Sequence, residues 1–224
     1  MSQEALYLTI FTLFAIYFYR KYKYKKINSI DQYIEFIKSY PFPSRIYTSL
    51  QKNHPYLIEE DIDTIIQGLR DYFYICAKAK GKKVSMPSLA VGEAWYEFTL
   101  FNKLYESFCV KAFGKFLDHH PAEAMNTKNN VQKGIQRVWK IACKQENISY
   151  LTPLKLPLLF NIDTLLNIEN GFKYGIHCKK SSSNQDQSGE TLYCASNIMN
   201  KETYKHTQKH LPKNLKDVNL NKID

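Results

Sequence analysis

Residues 5–19, ALYLTIFTLFAIYFY, carry no charge, and the run RKYKYKK follows at once. A helix over this run would be apolar on every face, so some other surface has to cover it. Fifteen helical residues rise about 22 Å, short of the roughly 30 Å hydrocarbon core of a bilayer. Arg20 and Lys21 can snorkel, and Tyr17, Tyr19, Tyr22 and Tyr24 fall where an interfacial aromatic belt sits. A cleaved signal peptide fits poorly, because the basic cluster follows the apolar run instead of preceding it. The segment therefore reads as a single-pass membrane anchor, with lipid as partner through residues 5–26. The positive-inside bias places the globular part in the cytoplasm. The alternatives are a buried first helix of the domain and a monotopic or processed segment.

The 224 residues are 44% hydrophobic, enough for a sizeable core. Of the net charge of +10, residues 1–26 carry +4 and the rest of the chain +6. That remainder reads as thinly spread, which makes nucleic acid a poor candidate partner. The five cysteines are odd in number and contain no CxxC pair, so the chain is not a disulfide scaffold. Cys76, Cys109 and Cys143 read as small buried hydrophobes on amphipathic helices.

Helical periodicity organises the middle. Ile58, Ile62, Ile65, Leu69, Tyr72 and Cys76 recur at three- and four-residue steps up to Gly81. Ser88 is an N-cap for a second helical face, Val91, Trp95, Phe98, Tyr105, Phe108 or Cys109, and Ala112, running toward Phe116. A third helix is expected over 128–145, and LLFNIDTLLNI reads as a short last helix after Pro157. Residues 30–39 read as a turn or two. GFKYGIHCKK and TLYCASNI read as two strands of a small hairpin. The expected fold is all-α: a bundle of four or five helices over residues 27–170. A single hydrophobic N-terminal helix (1–26) precedes it, and a small irregular or hairpin C-terminal extension (171–224) follows, partly flexible. Trp95, Phe98, Tyr105 and Phe108 should be buried against the 58–80 helix.

Chemistry-bearing residues form few convincing sets. The pair His119-His120 precedes Pro121, where histidine caps a helix end. Adjacent imidazoles point about 100° apart, a poor arrangement for one metal. Cys109 approaches His119 or His120 only if the chain bends at Gly114. Glu93 and Glu97 share a helix face, which reads as solvated because no Glu-x-x-His segment accompanies them. Cys178, Cys194, His206 and His210 end in an H-x3-H spacing, but fifteen residues separate the thiols. A structural zinc there is an open alternative to an unliganded tail. No cofactor is expected, since no nucleotide-binding, zinc-protease or nucleophile-elbow motif occurs.

MPSLAVGEAWYEFTLFNKLYESFCVKAFGKFLDHHPAE (86–123), WKIACKQENI and LPLLFNIDTLLNI together resemble small bacterial proteins related to the glycine-rich domain-containing protein family. The likeness covers roughly residues 55–178. Tyr105, Cys109, Phe113-Gly114 and His119-His120 match the family pattern. Tyr96 stands where the family has a histidine after the tryptophan. The glycine- and cysteine-rich tail is missing, leaving Cys178 and Cys194. The resemblance implies a helical domain and supplies no reaction. The leading functional expectation is a membrane-tethered, non-enzymatic interaction module with a protein partner. Whether the protein is an enzyme stays open. The alternative is a cysteine/histidine-dependent enzyme or metal-binding protein using Cys109 with His119 or His120.

Overall fold

The computed structural model describes residues 3–119, 128–176 and 192–198. Their helices are α1 (Gln3–Ser39), α2 (Ser44–Asn53), α3 (Glu59–Lys78), α4 (Leu89–Thr99), α5 (Asn102–Phe113), α6 (Lys128–Gln145), α7 (Leu158–Leu165) and α8 (Ala195–Ile198). Two short strands, β1 (Lys173–Gly175) and β2 (Leu192–Cys194), pair in parallel with Tyr174 opposite Tyr193.

α3 is the hub, because its apolar stripe is wider than one neighbour can cover. Ile62, Ile65, Leu69, Tyr72, Phe73 and Ile75 are buried, and α1, α2, α4, α5, α6 and α7 all pack on it. Its first turn carries Glu59, Glu60 and Asp61, where acids suit the helix dipole. The Asp61 carboxylate also accepts the Ile58 N–H at 3.1 Å. Phe73 touches Trp95, Phe98 and Phe108 at ring separations of 6.0, 6.3 and 4.9 Å. The aromatic set expected in the core, with Tyr105, is therefore buried against α3.

Two helix ends are finished by side chains from elsewhere in the fold. One Arg70 nitrogen on α3 donates to the carbonyls of Ile37, Lys38 and Tyr40 at 2.7, 2.8 and 3.0 Å, closing the C-terminus of α1. The same guanidinium lies 5.1 Å from the centre of the Phe42 ring. At the start of α4, Ser88 caps in cis by accepting the Val91 N–H. The buried Asp163 of α7 then accepts from Ser88 Oγ at 2.6 Å, Leu89 N–H at 2.7 Å and Ala90 N–H at 3.3 Å. It takes a fourth bond, from Phe172 N–H at 2.8 Å, and so ties the approach to β1 to the same point. Burial raises the Asp163 pKa above the ordinary carboxylate value, and these four bonds pull it back.

Several sequence expectations are corrected. Among the described residues no helix is long and apolar enough to cross a membrane. The physical reason is local: the uncharged run is only about 22 Å long and is diluted by Tyr7, Thr9, Thr12, Tyr17 and Tyr19. Any longer stretch takes in Glu4 or Arg20 and Lys21. The single-pass topology, the lipid partner through residues 5–26 and the cytoplasmic placement that followed from them lose their support. α1 instead runs unbroken through the basic cluster to Ser39. Residues 30–39, expected as a separate turn or two, are its last part, and they bury Ile34 and Ile37.

The helix count also differs, with eight among the described residues in place of four or five. The face expected to run from Val91 to Phe116 is divided at Leu100–Phe101, where Phe101 leaves helical geometry at φ −87° and ψ 60°. Its apolar period continues through that break, which is why the sequence hides it. α2, entered through Pro43 and anchored by Ile46 and Leu50, had no expected counterpart. The strands are parallel, so they do not form a hairpin.

The Asp163 clamp yields a stability prediction. Asp163→Ala leaves buried donors unpaired at the start of α4, at about 1–3 kcal/mol for each. A total loss of at least about 3 kcal/mol is expected in urea unfolding. A loss under about 0.5 kcal/mol would show that α4 does not depend on the clamp.

Candidate functional site

The chain leaves α5 through Gly114, whose φ of 69° is left-handed and free of strain only for glycine. A Cβ there would lie 2.6 Å from the Tyr33 hydroxyl of α1, so the close approach also demands glycine. The segment that follows is held by a buried relay. Trp95 Nε1 donates to the Tyr105 hydroxyl at 2.9 Å, and that hydroxyl donates to the Leu117 carbonyl at 2.6 Å. Burial drives the Tyr105 pKa well up, so its proton stays in place for the second bond.

On the other side, α3 ends at Lys78 and the chain turns through Gly81 at φ 79°. Between the two turns lies a cleft of about 540 Å³. Its inner wall is aromatic, formed by Tyr33, Tyr72, Trp95, Phe113 and Phe116. Four lysines, Lys80, Lys82, Lys83 and Lys115, line its edge, with Asp118 the single acid among the described lining residues. All four are exposed, and none is ion-paired with a described acidic residue. Lys115 Nζ lies 3.6 Å from where a Gly81 Cβ would be, so the far wall lays its ammonium on the lysine-bearing turn. Like charges that outnumber the acid beside them are an arrangement that an anion relieves. The cleft's volume falls within the roughly 300–1,000 Å³ usual for small-molecule sites.

The residues singled out in the sequence are scattered. Cys109 is fully buried, while His119 sets its ring against Trp95 at 4.5 Å and near Tyr96 at 6.0 Å. Cys194 is buried and disulfide-bonded, so it offers no thiolate to a metal. His120, Cys178, His206 and His210 lie outside the described residues. Among those described, no group of three or more His, Cys, Asp or Glu is placed to hold a metal ion. Neither the tethered module nor the Cys109–histidine enzyme or metal protein keeps its support.

Glu93 is not simply solvated. Its Oε2 lies 2.7 Å from Nε2 of the buried His54, the residue whose backbone N–H closes the C-terminus of α2 by donating to the Leu50 carbonyl. The pair fastens α2 to α4, and no sequence motif marked His54 for that role. The cleft lysines were also missed as a group. Three of them are visible as the run KGKK at 80–83, but Lys115 joins them only through the packing of α5.

The sequence pattern of the UCP032817-like family matches residues 32–198, and the chain belongs to that family. No curated protein and no solved structure matches the chain. The matched stretch contains Tyr33, the 80–83 turn, Trp95 and the 113–118 segment, and it leaves out the apolar half of α1.

Burial also sets the state of the thiols. It pushes Cys109 above its ordinary value, against hydrogen bonds with the Leu117 backbone and Tyr105. It raises Cys76, hydrogen-bonded to Tyr72 on the cleft wall, further still. It brings Cys143 up to about 12. At neutral pH all three are protonated, and the nucleophilic thiolate is essentially absent. Iodoacetamide at pH 8 should therefore leave Cys109 unmodified in the native protein and alkylate it after guanidinium unfolding, as read by peptide mass spectrometry. Equal labelling rates in the two states would place Cys109 at the surface.

Proposed function

We propose that this UCP032817-like domain binds a small organic anion that carries a planar apolar ring. The observation that carries the reading is the cleft between α1, α3, α4 and the 113–118 segment, with its aromatic wall and lysine edge. Aromatic side chains present large apolar faces to a ring. Ammonium groups at the mouth fix the orientation of the charged end and leave the ring directed inward. No nucleophile or base on this wall is poised for covalent chemistry: the Cys76 thiol and Tyr72 hydroxyl are both held neutral by burial. Binding rather than turnover is what these groups favour. We also propose kinship with glycine-rich domain-containing proteins. It rests on the resemblance over roughly residues 55–178 and adds no ligand.

Both tryptophans are buried, but Trp95 borders the cleft, whereas Trp139 packs elsewhere, its ring 5.0 Å from Phe160. Titration with benzoate or phenyl phosphate should therefore change Trp95 fluorescence saturably, and Trp95→Phe should abolish the response. Absence of a saturable change with either compound would remove the cleft as a binding site.

A further inference from the structure

We infer that the charged end of the ligand is a dianionic phosphoryl group, seated where Lys115 meets the Lys80–Lys83 turn. The inference rests on the cleft reading above and specifies its charged end. Three observations support it. Among the described lining residues four lysines face one acid, Asp118, so these residues carry a surplus larger than one negative charge neutralises. Second, no arginine lines the cleft. A lone carboxylate is best held by the planar fork of a guanidinium, whereas separate ammonium point charges suit a group with several charged oxygens around one centre. Third, the lysines converge from opposite walls. Lys80 and Lys82 flank Gly81, and the Lys115 ammonium rests 3.6 Å from the position of a Gly81 Cβ. The Lys115 ammonium thus lies over the turn that bears Lys80 and Lys82, so lysines from both walls line the place where an anion would sit.

The test holds the ring constant and varies the charge. Benzyl alcohol, benzoate and phenyl phosphate are titrated at pH 8, where a phosphate monoester is a dianion, with Trp95 fluorescence as readout. Phenyl phosphate should bind about tenfold more tightly than benzoate, and its advantage should shrink in 0.5 M salt. Lys115→Met and Lys82→Met should each erase most of that preference while leaving benzyl alcohol binding unchanged. Both lysines are exposed, and circular dichroism verifies that the variants fold. Equal affinity for benzoate and phenyl phosphate would overturn the phosphoryl assignment and leave the cleft reading intact. A preference that survives in both variants would also overturn it, because the charge would be read elsewhere. No response to any of the three compounds would instead bring down the cleft reading itself. Tighter binding of a single-stranded oligonucleotide than of phenyl phosphate would replace the small ligand with a nucleic acid.

Discussion

The carboxylate of Asp163 is the point on which the arrangement of α4 depends. It is buried, it sits at the positive end of a helix, and it satisfies donors from two separate stretches of chain, 88–90 and Phe172. A charge in that position is costly unless it is fully hydrogen-bonded, so the surrounding geometry has little freedom to drift. The helix it positions carries different contacts on its two sides. Two residues along a helix is about 200° around it, so Glu93 faces His54 and α2 while Trp95 turns toward α3, Tyr105 and the cleft. A clamp at one end of α4 therefore sets the wall of a site more than a turn away.

Arg70 plays the matching part for α1. It brings a cation to the carbonyl end of the helix, the favourable polarity for the dipole. Ile34 and Ile37 bury the same end, and Tyr33 reaches Gly114. The last part of α1 is thus a working wall of the bundle. Between Tyr7 and Tyr19, by contrast, large apolar side chains are exposed on all sides of the helix. One element combines two surfaces of opposite kind, and the basic cluster lies where they meet.

What the sequence disclosed follows from that difference between local and assembled order. α3 and α6 were legible because their apolar positions repeat at helical spacing and caps or turns bound them. Val138, Trp139 and Ala142 face inward as their spacing requires. The break between α4 and α5 was invisible because Phe98, Phe101 and Tyr105 keep the period across it. The His54–Glu93 pair spans 39 residues and the Asp163 clamp about 75. Neither has a local pattern, since each residue type is ordinary at its own position. The apolar run of α1 was misread for the opposite reason. Its local signal is strong, yet the run is too short and too rich in tyrosine and threonine for the length that a bilayer imposes.

The cleft separates its forces by depth, and their magnitudes decide what each part contributes. Its inner wall is neutral, because burial keeps Tyr72 and Cys76 protonated. A ring seated there removes on the order of 150 Å² of apolar surface from water, which at about 25 cal/mol per Å² amounts to roughly 4 kcal/mol. Each exposed ammonium at the edge contributes about 0.2–1 kcal/mol to an ion pair, less in salt. Before the cost of immobilising the ligand, the ring therefore supplies most of the affinity, and the lysines decide which charged ring is held. Charge at the edge also acts before contact, since a cluster with a surplus of lysines attracts anions over about a Debye length, roughly 8 Å at physiological salt. Capture at the lysines followed by seating of the ring against Trp95 is the order of events that this division of forces imposes.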